Sequence, residues 1–286
     1  MRKLVFVTAA AILVATSAAY LVCSGQSRQV VVDGRTQRVP GSQTSEARSH
    51  LPLDQVDHSA WDRLLKKYVD QDGMVDYAAW KASETDRAAL KQYLAALSQA
   101  APEAKTTKEG KLAFWINAYN ALTVHGILEV YPTSSIRNHT AKVLGYNIWK
   151  DLLLPVGDKK YSLEAIEHQV LRKLGEPRIH FAIVCASIGC PRLRSEAYTP
   201  DKLEAQLIDN TRDFFARQKN LQVDLANRRV QVSSILDWFG KDFAPTPQKA
   251  LASLAEYVPD EATKRLIASG DFSVSYLDYD WSLNKQ

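Results

Sequence analysis

Cysteine is scarce, with three in 286 residues. Cys23 sits in or beside an apolar leader, so the body of the chain carries Cys185 and Cys190 alone. Their C-x4-C spacing is not the C-x2-C of zinc knuckles and redox motifs, which leaves a loose zinc set completed by His180 as a secondary reading. Charge of one sign is also lacking. The formal charge is +4, and falls to +2 without Arg2 and Lys3. With no Lys/Arg block and no aromatic–basic interleaving, a nucleic-acid partner is not expected. No internal repeat and no interior domain break is visible. Hydrophobic residues make up 46% and charged residues 24%, the balance of an ordinary globular chain with room for a large core.

What is present begins at the N-terminus. Met1-Arg2-Lys3 precedes an uncharged apolar stretch, and Ser17-Ala18-Ala19 supplies small residues of the type a signal peptidase needs. Residues 1–23 therefore read as a secretory signal. The rival is an uncleaved anchor, because residues 4–23 are uncharged and, at about 20 residues, long enough to span a bilayer. Either reading places the remainder outside the cytoplasm, in the periplasm or another extracytoplasmic space, with membrane attachment through residues 4–23 in the second case. Residues 24–52, rich in Ser, Gln, Arg and Thr, read as a flexible linker, with Val30-Val31-Val32 as a strand candidate.

The globular part is expected over 53–286. Trp61, Leu64, Leu65 and Tyr68 recur at helical spacing, and Asp70-Gln-Asp-Gly73 reads as a turn rather than a calcium loop. Helices are predicted over 86–99 and 107–131, the second stopped by Pro132. Residues 133–161 read as irregular. Ser162 is set to cap a helix ending at Gly175, a strand is predicted over 179–185, and Thr199-Pro200 to open a helix through Lys219. A hairpin follows over 221–232, helices begin at Thr246-Pro247 and Glu261, and a last strand covers 272–276. The pattern gives an α+β class: a mostly helical single domain with a small antiparallel or mixed sheet.

Three segments can carry chemistry. The long helix contains Asn117, Asn120 and His125 in an apolar setting, where buried amides need partners. On a helix Asn117 lies about 60° from Asn120 and about 80° from His125. These groups either tie loop carbonyls to the core or reach a site. The helix after Ser162 carries Glu164, His168 and Arg172 at i, i+4 and i+8, expected as a solvated charge-paired face. Glu167 stands at the edge of its apolar stripe, placed to hold Arg172 or Arg178. The third segment runs from His180 through Cys185 to Cys190-Pro191. Strand alternation would put His180 and Cys185 on opposite faces, so a base for Cys185 would come from elsewhere, with His125 and His168 as candidates. A thiol becomes nucleophilic only when a cation, an imidazole or a helix terminus lowers its pKa. The turn 186–189 could offer N–H groups to an oxyanion. A buried or disulfide-linked pair without chemistry is the competing reading.

Together, Phe114-Trp-Ile-Asn-Ala-Tyr-Asn-Ala-Leu-Thr-Val-His125, Leu163-Glu-Ala-Ile-Glu-His-Gln-Val-Leu-Arg172 and Arg178-Ile-His-Phe-Ala-Ile-Val-Cys-Ala-Ser-Ile-Gly-Cys-Pro191 resemble the domain of unknown function 547 family of bacteria and plants. The Tyr198-Thr-Pro200 and Asp278-Tyr-Asp-Trp281 segments fit it too, so the resemblance spans roughly 55–283. It implies no reaction. It does mark Asn117, Asn120, Glu167, Arg172, Arg178, His180, Cys185 and Ser187 as motif positions. It also implies that Cys190 matters less than Cys185, since the plant branch has serine there. The expectation that results is an exported cysteine-dependent hydrolase or acyl transferase. Cys185 would be the nucleophile, His180 or His125 the base, and Asn117 an orienting or oxyanion group. Asn120, Glu167, Arg172, Arg178, Ser187 and Cys190 would bind a small-molecule or peptide-like envelope ligand, with no metal and no cofactor. The alternatives are a non-catalytic binding or scaffold domain with a structural Cys185/Cys190 loop, and a structural zinc site.

Overall fold

A computed structural model describes residues 29–32, 35–38, 51–141 and 145–286. The leader expected over 1–23 lies outside the described residues, as does most of the expected linker. The chain divides into two units, 1–48 and 49–286. In the first, Gln29–Val32 pairs antiparallel with Arg35–Arg38, Val32 opposite Arg35. No helix among the described residues is long and apolar enough to cross a membrane.

The second unit is organised around the helix Lys108–Val130. Thr107 caps it, its hydroxyl accepting from the Gly110 N–H at 3.0 Å. It ends where Tyr131 turns extended before Pro132, which cannot continue a helix. Most of its residues are apolar on every face, and such a helix is stable only when enclosed. Helices Ser59–Tyr68, Tyr77–Ala82 and Glu84–Leu97 contribute to that enclosure. Their aromatic residues interlock, with Tyr68 stacked on Trp80 at 4.6 Å and Trp61 on Tyr93 at 6.1 Å. The short helix Tyr77–Ala82, begun by an Asp76 cap, had no signal strong enough to predict it.

A second cluster gathers Phe181, Phe214, Phe215, Val230 and Val232 between the helix Leu203–Ala216 and a three-stranded sheet. Leu221–Asp224 pairs antiparallel with Arg229–Ser233, which pairs in parallel with Ser273–Leu277. The parallel pair requires a long crossover, and the helices Pro247–Ala252 and Glu261–Ser269 lie within it. With the isolated hairpin Leu153–Val156/Lys159–Ser162, this gives the α+β class read from the sequence.

Four local expectations are corrected. The strand predicted over 179–185 is absent: Pro177–Phe181 is a 3₁₀ turn and 182–184 is irregular. Glu176 accepts from the Arg178 N–H to start that turn, and Asn120 then supplies the partners a neighbouring strand would have given. A short apolar run does not specify a strand when a buried amide satisfies its backbone. The helix predicted from Ser162 to Gly175 is three kinds of turn in succession: α over Leu163–Ala165, π over Ile166–Val170 and 3₁₀ over Leu171–Leu174. The stretch 133–161 is partly regular, holding Ile148–Asp151 besides the hairpin. Finally, the helix expected at Thr199-Pro200 begins at Leu203.

Candidate active site

Two free thiols lie at a cleft of about 300 Å³. Their sulfurs are 2.9 Å apart. Three features of the chain bring them together. Asn120 accepts from the Val184 N–H (2.9 Å) and donates to the Ala182 carbonyl (3.0 Å), fixing the backbone up to Cys185. Ala186 then turns through φ 62°, a left-handed conformation that an alanine holds only under constraint. Last, the C-terminal chain closes over the turn. Ile188 and Gly189 donate to the Ser282 and Asp280 carbonyls, and Asn284 donates to that of Ala186. Gly189 permits this approach, since a Cβ there would stand 2.9 Å from the Tyr279 ring.

The sulfurs are not equivalent. Cys190 is buried and collects hydrogen bonds from the Cys185 N–H at 3.1 Å and the Tyr279 hydroxyl at 3.0 Å. The Cys185 thiol donates to it as well. Cys185 is partly exposed, and its sulfur lies 3.4 Å from the Ser187 hydroxyl and 3.5 Å from that of Tyr279. Burial raises the Cys190 pKa, but the donors outweigh it and bring it down to about 7. Donating its S–H hydrogen bond to Cys190, together with burial, holds the Cys185 pKa well above the ordinary thiol range. The donors converging on Cys190 thus favour placing the pair's negative charge there. Lys219 binds the Ile188 and Cys190 carbonyls from outside and adds a cation near that charge.

A carboxyl and a histidine complete the polar part. Glu167 sits in the π turn, half-buried, 3.5 Å from the Tyr119 hydroxyl. Burial raises it to about 7, against the pull of Arg172. It can therefore hold or release a proton near neutrality. His180 donates from Nε2 to Asp242 at 2.8 Å and stacks on Phe239 at 4.2 Å. Burial lowers it to about 4, so it is a neutral imidazole. Arg172 grips Asp242 with two bonds of 2.6 Å and meets His168 Nδ1 at 3.1 Å. Trp149, Trp238, Trp281 and Tyr279 form an aromatic wall; Trp281 and Trp238 stack at 5.8 Å and Trp238 is 45% exposed.

The structure brings some sequence candidates together and separates others. Glu167, His168, His180, Cys185 and Cys190 share the cleft. The alternation argument that parted His180 from Cys185 lapses with the strand, yet no hydrogen bond joins that ring to either sulfur. His125 stands 3.8 Å from Glu129 and takes no part in lining the cleft, so the structure does not bring it together with Cys185. Asn117 is fully buried and clamps Tyr198, accepting from its N–H at 2.9 Å and donating to its carbonyl at 2.8 Å. Both asparagines therefore tie loops to the core. Arg178 pairs with Glu176 and Glu204 rather than Glu167. The charged row of the 163–174 segment is not wholly solvated, because Arg172 is spent on Asp242 and His168 faces the cleft. Ile188 and Gly189 already donate to carbonyls, which withdraws two of the N–H groups of the 186–189 turn from the oxyanion role. Among the described residues no group of three or more His, Cys, Asp or Glu side chains could hold a metal, and His180 is turned to Asp242 instead of the sulfurs.

Asp242, Trp238 and Phe239 were missed. Asp242 stands in a short 3₁₀ turn with nothing around it to mark it. Tyr279 and Trp281 carried a signal, the aromatic–acidic Asp278-Tyr-Asp-Trp281 ending, but no role could be read from it.

The fold and cleft define an α+β domain built around a hydrogen-bonded dithiol. Residues 104–215 match the family described as protein of unknown function, DUF547. No curated protein and no solved structure matches the chain. The matched segment includes Glu167, His180 and both cysteines, whereas Asp242, Trp238, Tyr279 and Trp281 lie beyond it.

Proposed function

We propose that this is an exported cysteine-dependent acyl-transfer enzyme, a hydrolase or transferase working in the cell envelope on a small-molecule or peptide-like ligand. The observation that carries this reading is the sulfur pair itself, one member supplied with donors that favour its thiolate, at an open cleft with a carboxyl poised near neutrality. The nucleophile in this reading is Cys190, with Cys185 as the thiol that hydrogen-bonds it; the sequence had favoured Cys185. The thiolate attacks a carbonyl carbon, and the leaving group departs with the proton of neutral Glu167. A thioester forms. The Glu167 carboxylate then takes a proton from water or an acceptor as it attacks the thioester and frees the sulfur. His180, fixed by Asp242, is a neutral polar group on the cleft wall. Export rests on the basic start and apolar stretch of residues 1–23.

A generic acyl donor tests the chemistry without knowledge of the natural one. With 4-nitrophenyl acetate, the reduced protein should release about one equivalent of nitrophenol in a burst. Peptide mapping should find the acetyl group on Cys190, and Cys190→Ser should lose it. Acetylation no faster than that of the unfolded chain would defeat the reading.

A further inference from the structure

Acyl transfer uses the second thiol only as a hydrogen-bond donor, although its sulfur lies 2.9 Å from the first. Two properties decide how a disulfide between such sulfurs reacts: which sulfur an incoming thiolate can reach, and which departs as the more stable anion. Here both select the same direction. Cys185 is partly exposed, whereas Cys190 is buried. The Tyr279 hydroxyl and the Cys185 N–H point at Cys190.

We propose that the Cys185–Cys190 pair is a thiol-oxidising site whose disulfide form accepts electrons from the thiols of small molecules or unfolded peptides. The inference goes beyond acyl transfer and does not depend on it. In the first step a substrate thiolate attacks the Cys185 sulfur. The Cys185–Cys190 bond breaks, a substrate–Cys185 bond forms, and Cys190 leaves as a thiolate. In the second step another substrate thiolate attacks the substrate sulfur of that mixed disulfide. A substrate disulfide is released and Cys185 takes up a proton. Two thiols are oxidised and the protein disulfide is reduced to the dithiol. A low-molecular-weight disulfide regenerates it by the reverse exchange, becoming two thiols.

The pair has the surroundings this direction requires. Glu167 lines the same cleft and, raised by desolvation to about 7, can exchange protons there near neutrality. The aromatic wall of Trp238, Trp281 and Tyr279 gives a flexible peptide a surface to lie on above the sulfurs. Stabilising the leaving thiolate stabilises the reduced form, and that makes a disulfide an oxidant rather than a brace.

The test uses the full chain, oxidised with excess oxidised glutathione and freed of small molecules. Mass spectrometry should find an intramolecular Cys185–Cys190 disulfide. On mixing with reduced glutathione and quenching in acid, the mixed disulfide should map to Cys185. Reduction should exceed that of an unfolded C-x4-C peptide by tenfold or more. Tyr279→Phe, which keeps the ring, should slow reduction roughly 3–10-fold, from the dependence of exchange on leaving-group pKa. Glutathione carried separately on each cysteine with no internal bridge would overturn the proposal. So would a mixed disulfide on Cys190, or reduction no faster than the peptide's. An acetylated Cys190 alongside any of these would leave acyl transfer standing, so the two readings fail separately.

Discussion

Replacing Tyr279 with phenylalanine isolates the feature on which both readings of the cleft depend. The hydroxyl donates to Cys190 at 3.0 Å, while the ring packs on Trp281 at 4.5 Å and Trp238 at 4.9 Å. Phenylalanine keeps the packing and deletes one donor. A hydrogen bond to a charged acceptor contributes about 1.5–3 kcal/mol. At 1.36 kcal/mol per pKa unit, the first ionisation of the pair should rise by ~1–2 units. Starting from a Cys190 pKa of about 7, the thiolate is about half formed at neutral pH. In Tyr279→Phe it should fall to roughly 1–10%. Two measurements follow it: thiolate ultraviolet absorbance against pH, and the pH profile of iodoacetamide labelling. Both midpoints should move upward together. A variant with wild-type melting temperature and an unmoved titration would refute the claim that these donors hold the charge on Cys190.

Asn117→Ala should unfold at markedly lower denaturant, by about 2–5 kcal/mol, because it strands the buried N–H and carbonyl of Tyr198. A stable Asn117→Ala with lost thiol reactivity would instead return that asparagine to the chemistry. Glu167 titrates at about 7 in the fold against 4.5 for a free carboxyl. The folded state therefore binds more protons between those values, and its stability declines as pH rises through them. Glu167→Gln removes this decline, and above pH 7 should be more stable than the wild type by roughly 3 kcal/mol. Equal urea midpoints across that window would show that the carboxyl is not buried neutral. Asp242 has a depressed pKa through its bonds to Arg172, so its contribution is present above the ordinary carboxylate range and is lost as pH falls through the folded value. Asp242→Asn should weaken the Arg172 clamp and free the His180 ring, which the histidine proton resonances would report; an unchanged His180 signal would contradict the clamp.

The parts of the fold legible in the sequence are those whose determinants are local. Thr107 and Pro132 bracket the long helix, Thr246-Pro247 opens another, and Ala226-Asn227 lies in the hairpin turn, all within a residue or two of the expected places. The 179–185 segment failed for a nonlocal reason: its apolar run suits a strand, but Asn120, 62 positions upstream of Ala182, satisfies it one group at a time. The π turn over Ile166–Val170 is similarly set by packing, since helical spacing alone predicts an unbroken α-helix there. In the cleft, cysteine scarcity marks the loop that carries both thiols. It could not tell which sulfur bears the charge, because that depends on Tyr279, 89 residues beyond Cys190.

The contacts of Asp280, Ser282 and Asn284 with the cysteine turn also have a consequence for biosynthesis. Cys185 and Cys190 are made 99 and 94 residues before Asn284, the last residue that fastens the turn. At about 5–20 residues per second, translation leaves them without their cover for ~5–20 s. Until Tyr279 and the strand before it arrive, Cys190 lacks the donor that distinguishes it from its neighbour, and either sulfur is open to adventitious pairing. The distinction between the two thiols is written about 90 residues after them, so synthesis of the 279–284 segment is the step that turns an ordinary dithiol into this one.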